Sequence, residues 1–217
     1  MHLRSATAQV LKFINQSGTV RRVAAAFGWL PGARYTNLRD VRDVERLGFL
    51  DIDWKDYNFT RHLAAARSLR PLLTVAHDVA RAEELSRVLD QARELQLHCN
   101  QVAIVPKDLR LAEIMEEVIP TEFIFAYSVP TGYGATRIPA TCFRRNVHLL
   151  GGRPDVQRAL ARVMRVVSFD CNRFTVDAAY GKFFDGGRFR RHPVGGYTRC
   201  LADSISNIDR LWHDYAD

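Results

Sequence analysis

The stretch Val166-Val167-Ser168-Phe169-Asp170-Cys171-Asn172 decides the fold of this chain. It begins with apolar and β-branched residues, which are typical of a short buried strand, and it ends in a carboxylate and an amide. Parallel α/β sheets present their functional groups at the carboxyl ends of such strands. We therefore interpret Asp170 as a strand-tip residue, which is either a catalytic group or the cap of the following helix.

The same pattern recurs upstream, because short apolar runs alternate with segments of helical period such as 81–97. Strand starts that recur every ~20–30 residues with helices between them indicate successive βα units and a parallel sheet. No glycine-rich nucleotide-binding motif follows the first of these runs, which favours a barrel over an open sheet. We predict a compact, trimmed or incomplete TIM-type (β/α) barrel, with strands near 33–37, 49–53, 72–76, 101–105, 122–127, 147–150 and 166–169.

The chain is expected to fold as one domain in three stretches. Residues 1–28 are predicted to be N-terminal helices that pack on the barrel, since Val10, Leu11, Phe13 and Ile14 follow a helical spacing. Residues 29–187 are the predicted catalytic barrel. Residues 188–217 are interpreted as a basic loop and a closing helix of the same domain.

The composition indicates an ordinary globular protein, with 47% hydrophobic and 25% charged residues in a chain of 217. Without a long apolar run or a secretory leader, the expected location is the cytoplasm, with no membrane partner. The four cysteines are too scattered for a zinc knuckle, so no metal site is predicted.

The net charge of +7 is concentrated in residues 140–200, which hold twelve basic and four acidic residues. Such one-sided clustering favours a polyanionic partner, most simply nucleic acid, although a bias toward arginine on a solvated face would give the same count. The residues we assign to nucleic-acid binding are Arg144, Arg145, Arg173, Lys182, Arg188, Arg190, Arg191 and Arg199.

The predicted strand tips carry many carboxylates and two glycine-bearing loops. In a barrel these tips face one cleft, and carboxylate pairs suit chemistry at an anomeric carbon. Asp170, Asp51 and Asp53 are the catalytic candidates. The candidates for substrate binding are Asp78, Ser128, Gly132, Tyr133, Gly151, Gly152 and Asn172.

Four segments carry a resemblance to a known family: 49–79, 127–134, 147–152 and 168–172. In order and spacing they resemble the tRNA-guanine transglycosylase superfamily, over roughly 29–187. The most similar branch inserts 7-deazaguanine bases into DNA in phages and some bacterial gene clusters. The resemblance implies action in the bacterial or phage-host cytoplasm, no cofactor, and two partners, DNA and a 7-deazaguanine base as co-substrate.

The resemblance also implies roles for particular residues. Asp170 matches the nucleophile that attacks C1′ of a flipped nucleotide, expels guanine and forms a covalent glycosyl-enzyme. Asp51 matches a proton-relaying aspartate, Asp78 a base-recognising aspartate, and Gly151-Gly152 a backbone segment that lines the base pocket.

The chain departs from this family at two points. The zinc-binding Cys/His cluster is absent, and Asp51-Ile52-Asp53-Trp54 replaces the motif Asp-Ser-Gly-Gly-Phe-Gln. The choice between Asp51 and Asp53 therefore stays open, and a tRNA substrate is in doubt. Two alternatives remain: a non-catalytic nucleic-acid-binding protein on a degenerate barrel, and a barrel enzyme that processes a small nucleoside or glycoside.

Overall fold

The computed structural model describes residues 9–15, 17–131 and 135–215. Within these ranges, eight parallel strands close into a barrel in chain order, and β1 pairs with both β2 and β8. The closed barrel confirms the predicted fold class. The strands are β1 (Leu11–Ile14), β2 (Leu30–Arg34), β3 (Phe49–Asp51), β4 (Leu73–Val75), β5 (Gln101–Ile104), β6 (Ile124–Ser128), β7 (Asn146–Leu150) and β8 (Arg165–Asp170).

The barrel is complete but compact because several connections lack a full helix. The chain passes from β2 to β3 and from β6 to β7 through single turns of 3₁₀ helix, at Arg39–Val41 and Ala140–Cys142. Because these connections are short, the eight strands fit into fewer residues than the ~250 that are typical of the fold. The α-helices are α1 (Gly18–Ala25), α2 (Phe59–Leu69), α3 (Leu85–Gln96), α4 (Met115–Val118), α5 (Pro154–Leu160), α6 (Arg173–Ala179) and α7 (Tyr197–His213).

The prediction that residues 1–28 form only helices is wrong, because residues 11–14 form strand β1. The barrel therefore begins at Leu11 rather than near residue 29. On the outer face of β1, the buried Lys12 ammonium donates a 2.8 Å hydrogen bond to Asp209 on α7. The Trp29 indole N–H donates to the same carboxylate oxygen at 2.9 Å. A distant helix thus fixes the strand that closes the barrel.

The C-terminal part also differs from the prediction. The stretch that was interpreted as a basic loop from residue 188 onward contains a strand, because β9 (Lys182–Phe184) and β10 (Phe189–Arg191) pair as an antiparallel hairpin. The hairpin packs on α6 and α7, and the Phe184 amide donates to the Ser204 hydroxyl of α7 at 3.0 Å. The predicted closing helix is confirmed as α7, which also packs against α1 and α5.

Within the described ranges, no helix combines the length and the apolar character needed to cross a membrane.

Candidate functional site

A layer of aromatic rings fills the barrel below its carboxyl-terminal mouth. The fully buried rings of Phe13, Phe49 and His148 lie with centroids 4.8–5.8 Å apart. Side chains two residues further along a strand point to the same side of the sheet. On β3, this places Asp51 on the same side as Phe49, so the Asp51 carboxyl group lies next to the aromatic layer.

Asp170, the last residue of β8, is held by two donors at the mouth. Its Oδ1 accepts the Gly151 amide N–H at 2.9 Å, and its Oδ2 accepts the Asn172 side-chain amide at 3.3 Å. Asn172 in turn accepts the Asn15 backbone N–H at 3.0 Å, which ties the end of β8 to the end of β1. Asp170 is 6% exposed, so it is a fixed and nearly buried acceptor group.

The turn after β7 gives Asp170 its main donor. The buried Gln157 amide donates to the Gly151 carbonyl at 2.7 Å and to the Asp170 carbonyl at 2.8 Å, and so joins the ends of β7 and β8. Both glycines of the turn have positive φ, +59° for Gly151 and +89° for Gly152. The turn geometry therefore needs glycine at both positions.

Gly152→Ala is expected to destabilise the fold more than Gly151→Ala. A Cβ on Gly152 would lie 2.3 Å from Val129 Cγ1, whereas a Cβ on Gly151 meets no atom of the described residues within 4 Å. Gly151→Ala should cost about 1–2 kcal/mol, the ordinary penalty of the left-handed region, and Gly152→Ala measurably more. Urea unfolding of the two variants checks this, and equal losses would contradict it.

Asp51, the last residue of β3, lies in a different electrostatic environment. Burial, followed by the negative charge of Asp170, raises the pKa of Asp51 to about 7. Its Oδ1 accepts the Ile52 N–H at 2.8 Å, and its Oδ2 lies 3.3 Å from Arg34 Nε and 3.4 Å from Asn15 Nδ2. A pKa near neutral pH is the property that a carboxyl group needs to donate and accept protons in general acid–base catalysis.

Asp53 differs from Asp51 in its surroundings, although only one residue separates them. Its Oδ1 accepts the Lys55 backbone N–H at 3.2 Å within the turn that follows β3. That contact is the ordinary turn role of an aspartate. The contacts therefore favour Asp51 over Asp53 as the partner of Asp170.

A second polar group lies at the ends of β4, β5 and β6. Lys107 Nζ donates to the Ser128 hydroxyl at 2.5 Å and lies 3.7 Å from Asp78 Oδ2. Burial raises the pKa of Asp78, although the positive charge of Lys107 acts in the opposite direction. Burial also lowers the pKa of Lys107. The predicted substrate-binding residues Asp78 and Ser128 are thus brought together through a lysine.

An aromatic pair lies beside this polar group. The ring of His77 stacks on that of Tyr57, with centroids 4.5 Å apart. The Tyr57 hydroxyl lies 3.1 Å from His62 Nδ1, and His62 Nε2 lies 2.8 Å from the Thr74 hydroxyl, which donates to the Leu50 carbonyl. This order makes His62 a donor through Nε2 and an acceptor through Nδ1. Burial lowers the pKa of His62 to about 4, so it serves as a neutral packing residue.

The basic residues divide between the two ends of the barrel. Arg173 begins α6, three residues after Asp170, and its guanidinium lies 5.8 Å from the Phe189 ring of the hairpin. Arg188 is exposed in the turn of that hairpin. The other exposed basic residues of this region are Lys182, Arg190 and Arg191 on the hairpin strands and Arg199 in the first turn of α7.

Arg144 and Arg145 do not join this group. They precede β7 and therefore lie at the amino-terminal end of the barrel, opposite the mouth. Arg145 donates to the carbonyls of Ile119 and Pro120 and lies 4.4 Å from the Phe125 ring. These contacts give Arg145 a packing role, because they hold the connection that follows α4.

Two predicted substrate-binding residues and the question of a metal site remain. Gly132 and Tyr133 lie outside the described residues. Within the described ranges, no group of three or more His, Cys, Asp or Glu side chains could hold a metal ion.

Sequence reasoning missed four residues of the site: Asn15, Arg34, His148 and Gln157. His148 Nδ1 lies 2.8 Å from the Ser168 hydroxyl, and its Nε2 lies 3.7 Å from Asp170 Oδ1. Asn15 and Arg34 are the strand-end residues of β1 and β2, so correct placement of those strands would have found them. No local signal marks Gln157, whose partners come from the ends of two strands.

Comparison with known proteins gives a family but no activity. A search of curated proteins finds no match to this sequence. The model of a family of unknown function, DUF6610, matches residues 24–213. This range includes seven of the eight strands, α2 through α7 and the last two residues of α1. The chain is therefore a member of the DUF6610 family.

Proposed function

We propose that this protein is a transglycosylase that exchanges guanine in DNA for a 7-deazaguanine base through a covalent glycosyl-aspartate intermediate. One observation carries the proposal. A carboxylate held by backbone and amide donors, Asp170, lies close enough to Asp51 for its charge to raise the pKa of Asp51. A nucleophile with a nearby proton carrier is the arrangement that retaining chemistry at an anomeric carbon requires.

In the first half-reaction, an Asp170 oxygen attacks C1′ of a flipped deoxyguanosine. The new C–O bond forms as the C1′–N9 bond breaks, and the electron pair of that bond leaves with guanine. Asp51 in its protonated form donates its proton to the departing base, and a pKa of about 7 allows it to hold that proton near neutral pH.

The second half-reaction runs the same steps with the incoming base. The 7-deazaguanine nitrogen attacks C1′ and displaces Asp170, while Asp51 accepts the proton that this nitrogen loses. Two displacements at one carbon retain the configuration. The Gly151-Gly152 turn and the side chains of Asp78 and Ser128 would line the space for the base.

The DNA would lie across the α6 and hairpin side of the mouth. Arg173 follows Asp170 by three residues, and its guanidinium lies 5.8 Å from the ring of Phe189, the chain neighbour of Arg188. The remaining exposed basic residues lie on the hairpin strands and in the first turn of α7. Lys and Arg side chains on such a surface bind phosphates without reading sequence. Arg144 and Arg145 are left out of this surface because they lie at the other end of the barrel.

Arg188→Ala is expected to weaken DNA binding and to reduce its salt dependence. Loss of one phosphate contact should lower the slope of log K against log salt by roughly 0.7–0.9. Arg144→Ala is the matched control, since it removes an exposed arginine from the opposite end and should leave the slope unchanged. Fluorescence anisotropy with a labelled oligonucleotide at several salt concentrations measures both. An equal decrease in the two variants would argue against the surface proposed here.

The exchange reaction itself can be tested directly. The purified protein is incubated with guanine-containing DNA and each of several labelled 7-deazaguanine bases, and the nucleosides are then analysed by mass spectrometry. Incorporation of label with release of one guanine per event is the expected result. A protein that binds DNA but gives neither incorporation nor a denaturation-resistant protein–DNA adduct would be a non-catalytic binding protein instead.

A second candidate is an enzyme that acts on a free nucleoside. One observation favours it: two arginines of the proposed DNA surface are already paired with carboxylates, Arg173 with Asp177 and Arg190 with Asp185. Such pairs leave less positive charge for a polymer. Exchange on deoxyguanosine but not on an oligonucleotide would support this candidate.

A further inference from the structure

Lys107 lies with two proton-carrying side chains at the mouth of the barrel, beside the carboxylate pair already described. Asp78, Lys107 and Ser128 come from the ends of the adjacent strands β4, β5 and β6. Lys107 Nζ donates to Ser128 Oγ at 2.5 Å and lies 3.7 Å from Asp78 Oδ2. Side chains at this end of a TIM-type barrel are where such folds carry their chemistry.

Lysine is uncommon among the basic residues of this chain. The sequence has four lysines, Lys12, Lys55, Lys107 and Lys182, among 31 basic residues. Lys12 pairs with Asp209 on the outside of the barrel, and Lys55 and Lys182 are exposed. An arginine would bind an anion at the mouth equally well, but only a lysine can lose its proton and become a nucleophile.

The partial burial of Lys107 acts against its charged form. Its side chain is 18% exposed, and burial lowers its pKa, against the opposing effect of the Asp78 charge. Asp78 in turn has its pKa raised by burial. Desolvation is one way in which a lysine amine becomes a nucleophile, and the carboxyl and hydroxyl groups beside Lys107 can exchange protons with it.

We infer that Lys107 forms an imine with an aldehyde or ketone bound at the mouth, with Asp78 and Ser128 moving the protons. This is a chemistry separate from the exchange at Asp170. The carbonyl compound could be the open form of an abasic deoxyribose in DNA or a free small aldehyde. Both sources present the same reacting carbon.

The step balances without a further reactant. The neutral Nζ attacks the carbonyl carbon, so that an N–C bond forms and the C=O bond opens to a carbinolamine. The amine loses its two protons to the oxygen, by way of Asp78 and Ser128, and that oxygen leaves as water. The product is a C=N bond between Lys107 and the former carbonyl carbon.

Reductive trapping tests the inference on the full-length protein. It is incubated with cyanoborohydride and either an oligonucleotide that contains an abasic site or glyceraldehyde 3-phosphate, and the modified lysine is identified by peptide mapping. An adduct at Lys107 is expected, and Lys107→Arg should reduce total trapping at least about tenfold. The control variant Lys55→Arg removes an exposed lysine that has no part in the proposed DNA surface, and it should leave trapping at Lys107 unchanged. An adduct with the oligonucleotide alone would identify the sugar in DNA, and one with the triose alone a free carbonyl compound.

Label on Lys55 and Lys182 without label on Lys107 in the native protein would overturn the inference, and so would unchanged total trapping in Lys107→Arg. Peptide mapping of the native protein gives this answer even if the variant fails to fold. The exchange reaction is tested separately by Asp170→Asn, which should retain the reducible adduct at Lys107. Failure of base exchange and failure of imine formation are therefore distinguishable.

Discussion

Asp170→Asn is expected to abolish base exchange, with a loss of at least about 10⁴-fold, because an amide oxygen cannot displace a base from C1′. Asparagine has nearly the same shape and keeps an oxygen that can accept the Gly151 N–H. The fold should therefore survive, and the loss should come from chemistry alone. The rate of labelled 7-deazaguanine incorporation measures it.

The covalent intermediate provides a second measurement for this variant. Wild-type protein incubated with DNA and no incoming base should give a denaturation-resistant adduct whose peptide map identifies Asp170. Asp53→Asn is the matched control, since it changes a nearby carboxylate whose described contact is a turn hydrogen bond. Full exchange by Asp170→Asn, or an equal loss in Asp53→Asn, would refute the assignment of the nucleophile.

Asp51→Asn is expected to stabilise the protein at alkaline pH and to impair exchange. The pKa of Asp51 is about 7 in the folded state, whereas an aspartate in the unfolded chain has a pKa of 3.8. Between these values the folded state holds a proton that the unfolded state has released, so wild-type stability decreases as pH rises from about 4 to 7. The asparagine variant lacks this loss and should be more stable at pH 8 by at most about 4 kcal/mol, from about 1.4 kcal/mol per pKa unit.

Urea unfolding at pH 4 and pH 8 checks this sign. The stability difference between the variant and the wild type should be larger at pH 8, and a difference independent of pH would show that Asp51 titrates normally. Asp170→Asn gives a coupled test. Removal of the Asp170 charge removes one of the two causes of the raised pKa, so the pKa of Asp51 should fall in that variant.

The effect of Asp51→Asn on exchange should depend on the leaving base. Loss of a general acid costs roughly 10²–10⁴-fold when the leaving group needs a proton. DNA that carries 7-methylguanine has a leaving base that is already positively charged, so the variant should release it at nearly the wild-type rate. An equal defect on both substrates would indicate that Asp51 positions the substrate and does not donate a proton.

Much of the barrel was predictable because its strands are short apolar runs bounded by polar or glycine residues. The predicted strands from 49–53 through 166–169 all correspond to strands of the structure, with bounds that differ by one or two residues. The candidates Asp51, Asp170 and Gly151 all lie at the mouth for the same reason, since the carboxyl ends of parallel strands meet at one edge.

Strand β1 was not predictable because its pattern is ambiguous. Four residues are too few to distinguish a period of 2 from one of 3.6, and Leu11 through Ile14 fit a helix as well as a strand. Its outward Lys12 also looks like a solvated helix residue. Its partner Asp209 lies 197 positions away, so only the packing of α7 against β1 reveals why a lysine is buried there.

The sequence by itself determined the fold class, the alternation of strands and helices and the carboxylates at the mouth. Local periodicity and strand polarity are properties of short segments, so a single segment is enough to reveal them. The tertiary structure decided which of these groups differ in chemistry. The raised pKa of Asp51, the donors that hold Asp170 and the position of Arg145 at the far end depend on residues that are distant in sequence. Burial and electrostatic coupling are properties of the packed fold, and no single segment of the chain contains them.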